Sequence, residues 1–294
     1  MADDPLAIDV SFAVRLVAAR FPEWADLALT PFDSPGTDNT VFRIGESACL
    51  RLPRLASADT QLLKEAEWLD RLAPLPLAIP RPLALSGPFE TFQYHATIYN
   101  WLPGTTALKA PPADLNAAAE ALAEFLTALR GKPTDCAPAA GPQNQYRGAP
   151  LTLRDRLTRK AIAQLSDRID ADRLSALWTA CLDAPALAGA PMWLHGDLQA
   201  GNLIVQDSRL TGIIDFGLAG IGDPAADLII AWSFLDTGSR ETLRRALGAG
   251  EAEWRRGQGW ALSTAVIALD YYRDTNPALS GLSLRALKAL EAEA

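Results

Sequence analysis

Cysteine and histidine are scarce in this sequence, three of the former and two of the latter among 294 residues. Cys49, Cys136 and Cys181 show neither close pairing nor zinc-type spacing, which excludes a disulfide framework and suits reduced thiols in the cytoplasm. His95 and His195 lie far apart in the chain, which argues against a histidine metal centre. There is no surplus of positive charge. Twenty-seven Lys and Arg stand against 35 Asp and Glu, a net charge of -8, so the concentrated cations that grip a nucleic-acid backbone are missing. No apolar run reaches the length of a membrane span. Met1 to Asp9 carries two early acids and no basic region leading into an apolar stretch, so it does not read as a signal peptide. Neither a GxGxxG loop nor a Walker A sequence occurs, and no internal repeat is visible.

The composition, 49% apolar and 21% charged, is that of a globular chain large enough for two lobes. The first hundred residues read as mixed α and β. A helix is expected over Val10 to Ala19 behind Asp9, and strands over Leu27 to Phe32, Thr40 to Ile44 and Ala48 to Leu52. Leu62, Leu63, Ala66, Leu69 and Leu72 give a helical period over about Thr60 to Leu72. Pro74, Pro76 and Pro80 then force an extended passage. Glu90 to Tyr99 is aromatic and β-branched enough to predict a strand. After Gly104 the chain turns helical, interrupted by a proline- and glycine-bearing loop over 134–150 and short β segments at Leu203 to Val205 and Leu210 to Ile214. The expected division is an N-terminal lobe over 1–100 and a larger helical C-terminal lobe over 101–294.

The chemistry concentrates in His195-Gly196-Asp197-Leu198-Gln199-Ala200-Gly201-Asn202, followed by Ile214-Asp215-Phe216-Gly217. Phosphoryl transfer needs a carboxylate to orient an incoming hydroxyl, hard oxygens for Mg²⁺, and a cation on the phosphates. Asp197 can be the first, Asn202 and Asp215 the second. His195 reads best as a structural residue bonded to backbone around this loop. Asp33 to Asn39, small and polar between two strands, can bring backbone N–H groups to phosphates. Arg51 is the leading phosphate cation, with Arg54 competing; Glu65 is its leading partner, with Glu67 competing. Glu251, Glu253, Asp270 and Asp274 are candidate acids for a cationic acceptor or merely solvated, and Trp232, Trp254 and Trp260 either line a pocket or pack helices.

These residues resemble the aminoglycoside phosphotransferase family, whose catalytic loop H-G-D-x-x-x-x-N matches His195 to Asn202. Its metal segment matches Ile214 to Gly217, and its G-D-P-x-x-D-L pattern matches Gly222 to Leu228. Gly36 to Arg43, Leu50 to Arg54, Tyr99 to Gly104 and Tyr271 to Pro277 look like the family's nucleotide loop, phosphate strand, inter-lobe linker and a late segment.

The resemblance implies an α+β, two-lobed protein-kinase-like fold with an antiparallel sheet in a small N-lobe and a mostly helical C-lobe. It implies ATP as donor, with GTP open, Mg²⁺ as cofactor, and a hydroxyl on a small molecule as acceptor, cationic if it is an aminoglycoside. Asp197 would be the base and Asn202 and Asp215 the Mg²⁺ ligands. Gly36, Asn39, Arg51 and Glu65 would serve the phosphates, and Thr97, Tyr99 and Trp101 would face the nucleotide base, largely through backbone. Asp227 would brace the catalytic loop. Two departures stand out: Arg51 replaces the common Lys, and Gln199 stands where His is frequent. The alternative is a non-catalytic nucleotide-binding protein on the same fold.

Overall fold

Asp9 caps the first helix, its carboxylate accepting the Phe12 N–H at 2.7 Å, in this computed structural model, which describes residues 8–32 and 38–293. That helix, α1 (Val10–Arg20), buries Ala13, Leu16 and Val17. Strands β1 (Leu29–Phe32), β2 (Asn39–Ile44) and β3 (Ala48–Pro53) come next, then α2 (Ala56–Leu72), β4 (Pro82–Ser86) and β5 (Ala96–Asn100). They form one antiparallel sheet in the order β1-β2-β3-β5-β4. Alternation sorts β3 by face. Ala48, Leu50 and Leu52 are buried in a core shared with α1, Phe42, Ile44 and Ile98. Cys49 and Arg51 point to the opposite face, where Arg51 meets α2.

The sheet corrects one expectation. Glu90 to Tyr99 is not a single strand; β5 begins at Ala96, and the preceding residues make a turn in which Glu90 has φ 51°. The aromatics there serve packing instead of a ladder: Phe92 lies 5.7 Å from both Phe12 and Tyr94, centroid to centroid. The strand that completes the sheet, β4, starts at Pro82 on the edge, where a missing N–H costs no ladder bond. His95, just before β5, bonds Asp59 of α2 through its N–H and Nδ1. The helix over 60–72 begins four residues earlier, at Ala56.

Beyond β6 (Thr105–Thr106) come α3 (Leu115–Arg130), α4 (Asp155–Gln164) and α5 (Ala171–Leu182). Strands β7 (Met192–Leu194), β8 (Leu203–Gln206), β9 (Arg209–Ile213) and β10 (Gly220–Gly222) are short and antiparallel, β10 with β7 and β6-β8-β9 together. Helices α6 (Ile229–Ser233), α7 (Thr237–Leu247), α8 (Glu251–Tyr272) and α9 (Pro277–Glu291) complete the chain. A second, larger core joins Phe125, Trp178, Trp193, Trp232 and Trp260 with Trp68, Leu69 and Leu72, so α2 serves both halves. Trp232 and Trp254 pack at a tilt with ring centroids 4.8 Å apart within it, both buried, so they pack helices. Among the described residues no helix is long and apolar enough to cross a membrane.

Candidate active site

Strand β7 delivers the chain into His195, and two buried contacts fix the backbone at the start of the catalytic loop. The Asp227 carboxylate accepts the N–H groups of His195 (2.8 Å) and Gly196 (2.7 Å). Gly196 has φ +83°, and a Cβ there would sit 2.5 Å from the Leu218 carbonyl oxygen, so only glycine fits. The fully buried His195 ring is used at both nitrogens: Nε2 faces the Ile214 carbonyl (3.1 Å), and Nδ1 accepts the Asp197 N–H (3.2 Å). That assigns the Nε2–H tautomer. Burial holds its pKa below the usual value, opposed by Asp227 and Asp215, so the ring is a neutral scaffold, as its sequence position suggested.

Asp197 emerges from this scaffold with one carboxylate oxygen, Oδ2, accepting from Gln199 Nε2 (2.9 Å) and Asn202 Nδ2 (3.1 Å). Asn202 also donates to the Asp197 backbone carbonyl at 2.9 Å. Among the described residues no donor engages its Oδ1. The Ile214 N–H donates to the Asn202 carbonyl (2.9 Å), which ties the catalytic-loop turn to the residue before Asp215. Asp215 itself has φ 66°, a left-handed conformation uncommon for a non-glycine residue, and its side chain is 44% exposed. Asp197 and Asp215 line one cavity of about 150 Å³ with Asp38, Gln61, Gln145 and Arg147. Burial pushes the Asp197 carboxyl above its usual range; Arg147 and the bonds from Gln199 and Asn202 oppose that, while Asp215 adds to it.

The N-terminal half supplies the cation. Arg51 Nη1 meets Glu65 at 2.6 Å and Nη2 meets Asp215 at 3.1 Å. With its amide turned to put oxygen toward the guanidinium, Asn39 accepts from Arg51 Nε (3.3 Å) and Nη2 (3.1 Å). Burial works against the Arg51 charge, but Glu65 and Asp215 more than offset it and raise its pKa. The competing residues fall away: Glu67 faces Arg71 on the exposed side of α2, and Arg54 Nε bonds Thr40. Lys64, next to Glu65, donates to the Ala219 carbonyl (2.8 Å), and burial pushes it down to about 8.

The other expected residues lie outside this cluster or support it. Tyr99 OH bonds Glu65 Oε2 (3.2 Å), so it supports the ion pair. Thr97 is buried opposite Arg51 in the β3–β5 ladder, its Oγ1 without a partner. The N–H groups of Asn100 and Trp101 are taken by the Arg81 and Ser47 carbonyls, and the Trp101 ring packs on Phe32 and under Arg43. None of Thr97, Tyr99 and Trp101 lines the Asp197 cavity. Gly36 lies outside the described residues. The acids considered for a cationic acceptor are all engaged with arginines: Glu253 with Arg130, Glu251 with Arg244 and Arg255, Asp270 and Asp274 with Arg273. Arg147 and Gln145 are cavity residues that sequence reasoning missed, because they sit in an aperiodic loop.

A family model described as "Phosphotransferase enzyme family" matches residues 29–260. An aminoglycoside 3'-phosphotransferase of Escherichia coli is 37% identical over 60 residues, 20% of this chain, and the match spans only 22% of that protein's length. Among solved structures, the GDP and kanamycin complex of APH(2")-IIIa aligns with a TM-score of 0.73 at 18% identity, covering 96% of this chain and 98% of that one. The macrolide 2'-phosphotransferase MphH from Brachybacterium faecium aligns at 0.64 and 22% identity, covering 95% and 98%. These likenesses establish the two-lobed, kinase-like fold. With the family match running through both the Arg51 strand and the Asp197 loop, the chain belongs to the phosphotransferase enzyme family.

Proposed function

We propose that the protein transfers the γ-phosphoryl group of ATP or GTP to a hydroxyl of a small molecule. The observation that carries this reading is the meeting of Asp197 and Asp215 in one cavity, with Asn202 bonded to Asp197 and Arg51 bonded to Asp215. Relatives sharing the fold are described as complexes with GDP, with ADP and with ATP plus streptomycin.

The donor set fits Mg²⁺. Among the described residues no three His, Cys, Asp or Glu side chains cluster as a self-sufficient metal site. The Asn202 Oδ1 and the Asp215 carboxylate are two hard oxygens, the small protein contribution expected of an ion whose other ligands are water and phosphate. Asn202 and Asp215 would hold it, and when bound it would offset negative charge on the phosphates. Asp197 orients the acceptor hydroxyl and takes its proton. The new bond joins the acceptor oxygen to the γ-phosphorus as the bond from that phosphorus to the nucleoside diphosphate breaks. Arg51, held by Glu65, steadies the phosphates. Catalysis then rests on positioning and fixed charge, with no covalent enzyme intermediate. The three cysteines are free, in keeping with a cytoplasmic, nucleotide-supplied setting.

The test is to incubate the protein with Mg-ATP or Mg-GTP and a broad panel of hydroxyl compounds, and to search by mass spectrometry for a compound that gains one phosphoryl group. Nucleotide binding without any such product would favour a non-catalytic nucleotide-binding protein. Phosphate release independent of any acceptor would favour a hydrolase.

A further inference from the structure

The loop over 134–150 places a cation beside the carboxylate expected to hold the acceptor. Arg147 is 6% exposed, lines the Asp197 cavity, and has Nη2 3.9 Å from Asp197 Oδ1, too far for a hydrogen bond. Its Nη1 donates to Thr264 Oγ1 (2.9 Å), and its buried Nε has no partner. Among the described residues no hydrogen bond is made by Nη2, the guanidinium nitrogen that faces Asp197.

The backbone is bent to put Arg147 there. Gln145 (φ 53°) and Tyr146 (φ 57°) are successive non-glycine residues in the left-handed region, a conformation that side-chain-bearing residues adopt at a cost. Gly148 (φ +80°) comes two residues later, so close to Leu194 that a Cβ would collide with its Cδ2. Buried Asn144 holds the loop by accepting the Gly141 N–H (2.9 Å) and donating to the Arg147 carbonyl (3.2 Å).

Arg147 is also not alone. Its guanidinium lies 5.9 Å from the Trp260 ring centroid, and that of Arg154 lies 5.0 Å from the same centroid. Arg154 Nε donates to Ser263 Oγ (2.7 Å), and among the described residues no carboxylate lies within ion-pair distance of it. Burial, and then the Arg147 charge, push Arg154 down to about 10. Arg147 and Arg154 thus face one tryptophan, and the carboxylate within ion-pair distance of Arg147, Asp197, is needed for the acceptor hydroxyl.

We propose that Arg147, backed by Arg154, forms an oxyanion subsite on the acceptor side, and that the acceptor is an alcohol carrying a carboxylate or phosphate near the hydroxyl it presents to Asp197. A planar guanidinium with free donors matches a two-oxygen anion, and the anion would fill the Arg147 valence that the protein leaves open. An amine-bearing acceptor would meet like charge there. This inference rests on the phosphotransferase reading.

The test offers matched alcohols that differ in charge: glycerate, glycerol and 3-amino-1,2-propanediol; gluconate, glucose and glucosamine; and kanamycin. Product is read by mass spectrometry for the wild type and for Arg147→Met, Arg147→Lys and Arg154→Met. The expected result is that anionic members have the highest kcat/KM and that Arg147→Met raises their KM by about 10- to 100-fold, with Arg147→Lys recovering part of the loss. The KM for Mg-ATP should move by less than about twofold. Preference for amine-bearing or neutral members overturns the subsite in the wild type alone, even if Arg147→Met fails to fold. A rise in the Mg-ATP KM with the acceptor KM unchanged also overturns it, because Arg147 would then serve the transferred phosphoryl group. Nucleotide binding with no product from any member has a different meaning: it removes the transfer reading itself, and this inference with it.

Discussion

Arg51 bonds Asp215 at 3.1 Å across 164 residues of chain, so the cation of β3 is held by the carboxylate expected to bind Mg²⁺. The same guanidinium uses Nη1 for Glu65 and its remaining donors for Asn39. Three acceptors around one planar fork use the geometry that an Arg offers and a Lys does not. An ammonium would keep the Glu65 contact but could not span all three. Arg51→Lys should weaken Mg-ATP binding by about 10-fold and Arg51→Met by about 100-fold or more, read by isothermal titration calorimetry. Unchanged affinity in Arg51→Met would remove Arg51 from the nucleotide site.

Gln199 makes a pH-dependent prediction. Burial raises the Asp197 carboxyl, and the Gln199 bond lowers it by favouring the ionised form. The ionised form is the one that accepts the hydroxyl proton, so the rate falls as pH drops through the folded-state pKa of Asp197. Gln199→Leu removes a bond to the carboxylate, raises that pKa further, and should move the acid limb of kcat/KM to higher pH. An acid limb that stays in place, or moves to lower pH, contradicts the role given to Asp197.

Asp227 holds two buried N–H groups and does not line the Asp197 cavity. Asp227→Ala leaves both without acceptors, at about 1–3 kcal/mol apiece. Urea denaturation should show that loss, and kcat should fall through displacement of Asp197. A variant with wild-type stability would mean that the bracing is dispensable.

Gly196→Ala confronts a Cβ with the Leu218 carbonyl oxygen at 2.5 Å and a left-handed φ. The cost should be at least about 1–3 kcal/mol, with the thermal midpoint lowered accordingly. Gly201→Ala is the control, since a Cβ at Gly201 meets nothing within 4 Å.

The grouping of Asp197 with Asn202 and Asp215 was legible because these residues stand in contiguous motifs flanked by strand-forming residues. The choice of Glu65 over Glu67 was also there to be read: Leu62, Glu65, Leu69 and Leu72 fall on one helical stripe, and all four are buried. Strands β7 and β10 escaped because three residues carry no period, although their pairing delivers His195. Strand β4 was hidden by Pro82, which only an edge position tolerates. Arg147 had no local signature at all. Its importance comes from a loop conformation fixed by Asn144 and Gly148 and from Trp260, more than a hundred residues away in sequence.

The central claim is that Asp197 acts on the acceptor hydroxyl while Asp215 serves the metal-bound nucleotide. The most direct measurement compares Asp197→Ala and Asp215→Ala with the wild type for transfer to whichever hydroxyl compound the wild type phosphorylates, alongside Mg-ATP affinity. Asp197→Ala should lower kcat by about 100- to 10,000-fold with Mg-ATP affinity nearly unchanged, whereas Asp215→Ala should lose both transfer and Mg-ATP binding. Phosphoryl transfer at wild-type rates by both folded variants would contradict the account.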